Sequence, residues 1–341
     1  MRTSRTTGLT ALVAAMLVSS AVAAQDKLTL QLKWLPQAQF AGYYAAQAKG
    51  FYKEAGLDVA LLPGGPTIAP PEVLARGGAD VIVEWMPAAL AARERGVPLV
   101  NIAQVFTRSG MMLTCRKETG IRAPADLKGR TLGVWFAGNE YPFLAWMSRL
   151  GFKTDGAAPD VKVLRQGFDV DLLLKKQADC ISTMTYNEYW HVVDEGLKPD
   201  ELVAFKYQEM GVATLEDGLY TTEAKLAEAG MADRLARFVA ASLRGWDFAE
   251  KNQPETVKIV LALDPALTKE AAHQAHMLED VARLIDPGVN GLGYLDPAAY
   301  ERTVATLLAG GSDPVISRKP AGAWTHAVWE AARTYRRTYR K

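Results

Sequence analysis

The chain predicts an α/β fold of two lobes, each built from a repeated strand–helix unit and followed by a helical C-terminal segment. Three observations carry this. Strand-length apolar runs alternate with helix-length ones from residue 27 to residue 184. An Ala-Asp pair directly before an apolar strand occurs twice, in Gly78-Ala79-Asp80 and in Gln177-Ala178-Asp179. Beyond about residue 223 the strand pattern stops and helical patterns follow one another. Strands that recur with helices between them specify layered α/β lobes with largely parallel sheets.

The first residues stand outside this pattern. Arg2 and Arg5 form a basic start, and residues 8–22 carry no charge. Ala21-Val22-Ala23 is a small-x-small step before the polar Gln25-Asp26-Lys27. This is the order of a secretory signal peptide over residues 1–23, cleaved near Ala23. The apolar run is short for a membrane span, and no later stretch approaches ~20 apolar residues. No cysteine stands at the cleavage point, so no lipid anchor is expected. The mature chain is expected to be soluble and outside the cytoplasm.

The elements follow in order. Residues 27–33 alternate apolar and polar side chains, the period of a half-buried strand. Residues 40–55 read as a helix stopped by Gly56. A second strand over 57–62 is closed by the breaker run Pro63-Gly64-Gly65-Pro66. A helix over 71–76 ends at Gly77 and Gly78. The strand over 79–83 is continuously apolar after Asp80, as strands buried on both faces are. A helix over 88–95 and a strand over 99–106 complete the series. The unit then restarts with a strand over 131–135, a helix over 142–150, a strand over 161–164, a helix over 170–176 and a strand over 180–184. Helices over 225–252, 254–263, 269–284, 297–308 and 322–337 close the chain, several opened by proline or acidic residues. They are expected to pack on the first lobe. Crossovers between lobes are expected near residues 107–111 and 205–212. Residues 24–108 with 213–341 then form lobe I, and 109–212 form lobe II.

Composition narrows the partners. The 341 residues are 49% hydrophobic and 23% charged, with a formal net charge of +1. Such a balance offers no stripe for a polyanion, so nucleic acid is not expected as a partner. Cys115 and Cys180 are the two cysteines. An oxidising compartment permits a disulfide, but spacing does not establish one, and two isolated buried thiols are the expectation. His191, His273, His276 and His326 are scattered without an evident co-ligand, so no metal site and no cofactor are expected.

A family resemblance enters at the first helix. Lys33-Trp34-Leu35-Pro36-Gln37, then Ala41-Gly42-Tyr43-Tyr44, then residues 48–59 (Ala-Lys-Gly-Phe-Tyr-Lys-Glu-Ala-Gly-Leu-Asp-Val) resemble the opening of the periplasmic substrate-binding proteins of the NMT1/THI5-like group. The resemblance continues through Gly78-Ala79-Asp80, residues 127–134, Gly138-Asn139-Glu140 and residues 185–190, covering roughly residues 27–250. It implies a type II periplasmic-binding fold, with two α/β lobes joined by two crossover strands that close on a small molecule. It implies a periplasmic, monomeric protein that serves a membrane permease and its ATPase in an ABC importer. Members of this group are associated with thiamine pyrimidine precursors, and relatives with riboflavin, other aromatic heterocycles or sulfonates. A hydroxymethylpyrimidine- or formylaminopyrimidine-type ligand is therefore the expectation.

The residues argue independently for a flat ligand. In α/β lobes, ligands sit outside the carboxyl ends of the strands. Here those ends carry Trp34 and Gln37, Glu84 and Trp85, Phe136 with Gly138, Asn139 and Glu140, and Tyr186, Asn187 and Glu188. Tyr43, on the first helix, joins the candidates. Aromatic rings can sandwich a heterocycle, each stacking pair adding about 0.5–1.5 kcal/mol beyond area burial. Glu84 or Glu188 can accept from ring amino groups. Gly138-Asn139, at a helix start, offers backbone N–H donors.

The competing class is an enzyme, because the same group includes eukaryotic thiamine-pyrimidine synthases. The resemblance sets their pyridoxal-phosphate lysine at Glu84 and their histidine at Ala88. Their cysteine-rich stretch falls near residues 210–219, which contain no cysteine. Schiff-base chemistry without its lysine is not expected. No Gly-x-Ser-x-Gly elbow suggests a hydrolase.

Overall fold

The computed structural model describes residues 25–136, 138–309 and 315–338. The signal peptide expected over residues 1–23 lies outside the described residues.

Strands β1 (Asp26–Gln31), β2 (Leu57–Leu62), β3 (Val81–Glu84) and β4 (Leu99–Gln104) belong to a first sheet. The chain then leaves for a second sheet, made of β5 (Met111–Arg116), β6 (Thr131–Val134), β7 (Lys162–Arg165), β8 (Cys180–Met184) and β9 (Leu202–Lys206). It returns with β10 (Gly218–Thr222), which completes the first sheet in the order β2-β1-β3-β10-β4. The second sheet runs β7-β6-β8-β5-β9, the same order with β5 in the place of β10. Each sheet thus has a parallel trio and one inserted strand, β10 or β5, that runs antiparallel to its neighbours. These are the two lobes of an α/β fold.

The repeated Ala-Asp pair has the same task in both lobes. Asp80 accepts the Thr29 N–H at 2.8 Å, while its own N–H donates to the Thr29 carbonyl. Asp179 accepts the Thr131 N–H at 2.9 Å and donates to the Thr131 carbonyl. Each aspartate therefore pins the start of one parallel strand to its neighbour and satisfies a backbone donor of that interior strand.

The helical segment packs on the first lobe. Helix Met231–Lys251 crosses helix Ala41–Ala48 at a point where only glycines fit. A Cβ on Gly245 would stand 2.0 Å from the Gly42 carbonyl oxygen, and one on Gly42 would stand 2.1 Å from the Trp246 ring. Tyr52 stacks on Phe238 at 5.6 Å and shares a hydrogen bond with Ser242.

Three expectations are corrected here, and some elements are added. The single helix over 40–55 is two, Ala41–Ala48 and Phe51–Glu54, broken at Gly50, which adopts φ +74°. The single helix over 225–252 is two, Glu223–Ala227 and Met231–Lys251, because the chain turns at Gly230. β5, β9, β10 and helix Glu188–Asp194 were not read from the sequence. Cys115 and Cys180 are joined in a disulfide rather than held as separate thiols. The reason is register: β5 and β8 set the two cysteines directly opposite each other, with Cα atoms 3.9 Å apart.

Candidate functional site

A cavity of about 850 Å³ lies between the carboxyl ends of the parallel strands of both sheets. The first lobe contributes the segments after β1, β2 and β3, and the second contributes those after β6, β7 and β8. The register of each parallel trio brings those ends to one edge, which is why residues so distant in sequence share one wall.

On the first-lobe side, Trp34, Gln37, Glu84 and Trp85 line the cavity. They belong to a hydrogen-bonded web. Gln37 Nε2 donates to Gln39 Oε1 at 2.8 Å, and Gln39 Nε2 donates to Asp217 at 2.8 Å. Trp85 Nε1 donates to the other Asp217 oxygen at 2.7 Å. Lys33 Nζ sits 3.6 Å above the centre of the Trp85 ring, a cation–π contact that covers one of its faces. Glu84, 5% exposed, accepts the Trp85 N–H at 2.8 Å. Burial raises its pKa; the Lys33 charge and that N–H oppose the shift, and Asp217 adds to it. Asp217 is raised in the same way, first by burial.

On the second-lobe side, Phe136, Gly138, Asn139, Tyr186, Asn187 and Glu188 line the cavity. Glu188, 7% exposed, accepts the Met184 N–H at 2.9 Å and the Asn187 side-chain amide at 2.8 Å. Burial raises its pKa as well. Gly138 adopts φ +104°, a conformation open to glycine, and lies opposite Ala88 of the first lobe.

Two expected residues are not at the cavity wall. Tyr43 is buried in the first-lobe core, edge-on to Trp246 at 5.5 Å. Its helix turns that face toward helix Met231–Lys251. Glu140 is not among the lining residues; its carboxylate accepts the Gly138 N–H at 2.8 Å. That bond also corrects the reading of Gly138 as a free backbone donor.

Sequence reasoning missed Lys33, Gln39, Arg165 and Phe168, all at the cavity. The strand-end rule that found Trp34 reaches Lys33 and, applied to β7, reaches Arg165 and Phe168. Phe168 is 58% exposed yet packs on Trp34 at 4.7 Å, so the two lobes touch across the mouth through aromatic rings. Asp217, which holds Gln39 and Trp85 from behind the wall, escapes that rule. β10 runs antiparallel to β3 with Gly218 opposite Glu84, so its start lies where the neighbouring strand ends. That signal is absent from local sequence.

The crossovers meet behind the cavity. Glu216 accepts the Ser109 hydroxyl at 2.5 Å, the Gly110 N–H at 3.0 Å and the Met111 N–H at 3.2 Å. One carboxyl thus bridges the outgoing and returning segments. Burial lifts its pKa to about 7 against the pull of those donors. Farther along the seam, His191, Asp194 and His273 come together, though the sequence spacing had linked none of them.

Comparison with known proteins adds three kinds of likeness. A family model described as "NMT1/THI5 like" matches residues 37–256. Among curated relatives, the formylaminopyrimidine-binding protein of Halalkalibacterium halodurans is 27% identical over 242 residues, 70% of this chain and 71% of that protein. The riboflavin-binding protein RibY of Chloroflexus aurantiacus is 24% identical over 299 residues, 84% of this chain and 81% of that one. A 4-amino-5-hydroxymethyl-2-methylpyrimidine phosphate synthase of Saccharomyces cerevisiae is 34% identical, but over 110 residues, 32% of each chain. Among solved structures, the periplasmic aliphatic sulphonate binding protein SsuA of Escherichia coli superposes with a TM-score of 0.61 at 12% identity, covering 84% of this chain and 85% of that one. At that identity the likeness speaks for the fold alone. No helix among the described residues is long and apolar enough to cross a membrane.

Proposed function

The protein belongs to the NMT1/THI5-like family, and we propose that it is the solute-binding component of an ABC importer, capturing a small planar nitrogen heterocycle of the thiamine-pyrimidine type. One observation carries the reading: buried carboxyl groups from opposite lobes, Glu84 and Glu188, share a cavity walled by aromatic rings. An aminopyrimidine offers two flat faces and an edge that both donates and accepts. Trp34, Trp85, Phe136 and Tyr186 take the faces. Glu84, Glu188, Gln37, Asn139 and Asn187 take the edge. A carboxyl whose pKa is raised can accept from an exocyclic amine when ionised or donate to a ring nitrogen when protonated. The name of the relative matched over 70% of the chain supports the pyrimidine class.

In this reading the lobes are residues 24–108 with 213–341 and residues 109–212. They close by a population shift that favours the state in which both walls touch the ligand. The chain works in the periplasm after loss of its first 23 residues, as a monomer, and its closed surface is read by the permease whose ATPase drives import. The Cys115–Cys180 disulfide agrees with an oxidising compartment. Catalysis is not part of the reading. Relatives named as synthases match a third of the chain, whereas those matched over most of it are named as binding proteins. Glu84, where the resemblance sets a lysine, cannot form a Schiff base.

A second reading, riboflavin, draws on the cavity's size. A volume of about 850 Å³ exceeds what one pyrimidine ring fills and admits a tricyclic ring. Titration of the mature protein with formylaminopyrimidine, hydroxymethylpyrimidine, thiamine and riboflavin, followed by Trp fluorescence, separates the two. A saturable response to a pyrimidine, lost in Glu84→Ala and Trp34→Ala, is the expected result. A response to riboflavin alone moves the ligand class, and no response to any of them overturns the vitamin-precursor reading.

A further inference from the structure

Helix Glu188–Asp194 of the second lobe lies against helix Ala271–Leu284, which is anchored to the first lobe through the hydrogen bond from the Ala38 N–H to Gln274. The contact is made of side chains with lone pairs. The His191 and His273 rings stack with centroids 4.1 Å apart, and His273 Nδ1 lies 3.2 Å from Asp194 Oδ2. One ligand atom from each of the three residues falls within 4.8 Å of the others.

The hydrogen bonds around His273 leave a place for a cation. The Asn187 amide nitrogen is committed to the Glu188 carboxyl, so Asn187 presents its oxygen to His273 Nε2 at 3.0 Å. Nε2 must therefore carry the ring hydrogen and donate. Nδ1 then points a lone pair at a carboxylate oxygen, an acceptor facing an acceptor, which stands only with a positive charge between them. The 3.2 Å separation matches the roughly 3.3 Å between a nitrogen and an oxygen on one tetrahedral zinc ion. An imidazole that donates its second N–H to a fixed oxygen is also the usual outer-shell arrangement of a metal-bound histidine. Glu195 and Glu270 stand near His191 and add negative field around the cluster. Asp194 is half exposed, which leaves an entry path.

We propose that His191, Asp194 and His273 form a zinc-type divalent-cation site that fastens the second lobe to the helical segment behind the first. Three protein ligands leave a fourth tetrahedral position to water. Because Asn187 both orients His273 and lines the cavity, the ion rigidifies that wall. The site does not depend on which heterocycle the cavity takes.

The test uses the mature chain without an affinity tag, stripped with chelator. Zinc chloride is titrated by calorimetry, and cobalt chloride is followed by its visible absorption. The expected result is one equivalent bound, a tetrahedral cobalt spectrum and a zinc-dependent rise in melting temperature. His191→Ala and Asp194→Asn should each weaken zinc at least about tenfold, and Asn187→Ala about 10–100-fold. His276→Ala, on the same helix but outside the cluster, should bind as the parent does. Circular dichroism and melting without metal verify that the variants fold. No binding of either metal would overturn the proposal and leave a proton between His273 and Asp194. Zinc binding undiminished in both His191→Ala and Asp194→Asn would overturn it equally, by locating the ion elsewhere.

Discussion

Glu216 shows how one side chain can hold a joint. Its carboxyl, buried between the crossovers, draws on Ser109, Gly110 and Met111, three donors from the other segment. Burial still dominates and lifts its pKa from 4.5 to about 7. A group whose folded pKa is raised contributes stability that is fully present below its unfolded pKa and is lost as pH rises through the folded one. The protein should therefore lose stability between pH about 4.5 and about 7 through this residue, by at most about 3 kcal/mol. Denaturant titrations of the parent and of Glu216→Gln across that range check it. The difference between the two should narrow the parent's advantage as pH rises, and parallel pH profiles would show that Glu216 does not titrate there. Glu84 and Glu188 follow the same physics at the cavity, where the raised carboxyls are placed for exchange of hydrogen bonds with a ligand rather than for holding the hinge.

At the scale of elements, the crossing of helices Ala41–Ala48 and Met231–Lys251 depends on two missing side chains. A methyl group on Gly245 would overlap the Gly42 carbonyl, so the helices must separate to admit it. Gly245→Ala, although it favours helix by about 1 kcal/mol at an unhindered site, should destabilise the protein by about 1–3 kcal/mol through overpacking. Thermal melts give the sign, and a neutral or stabilising result would show that the crossing adjusts freely. The strands follow a plainer rule. Asp80 and Asp179 make the same pair of bonds to Thr29 and Thr131, so the repeated Ala-Asp pair is a structural device that each sheet uses to start its third strand. The fold needs it whether or not a ligand binds.

For the whole molecule, the two lobes share a seam but keep separate sheets, and the disulfide belongs to one of them. Cys115 and Cys180 enclose a 65-residue separation inside the second sheet. Loop-closure entropy for such a ring is worth about 4 kcal/mol. Reduction should lower the unfolding midpoint of the second lobe and leave the first nearly unchanged, which a denaturant titration with and without reductant resolves as one shifted phase and one fixed phase. A single phase shifted as a unit would mean that the lobes unfold together. Much of this architecture was legible in sequence. Periodicity, breaker glycines and the Ala-Asp pair mark the parallel strands and their helices, and the strand-end rule finds Trp34, Glu84, Trp85, Phe136, Tyr186 and Glu188. What it could not find were features created by antiparallel insertion and by contact between distant helices. β5 and β10 have no local partner, so Asp217 at the site, the Cys115–Cys180 pairing and the His191–Asp194–His273 cluster have no spacing to read. Tyr43 and Glu140 show the converse, residues of the right type whose helix face or local hydrogen bond turns them away. The sequence by itself determined the repeated unit, the largely parallel character of the strands and the aromatic, carboxyl-rich character of the strand ends, because those depend on period and on near neighbours. Only the tertiary structure decided which of those side chains face one another, because that depends on the register between strands far apart in the chain and on how two lobes meet.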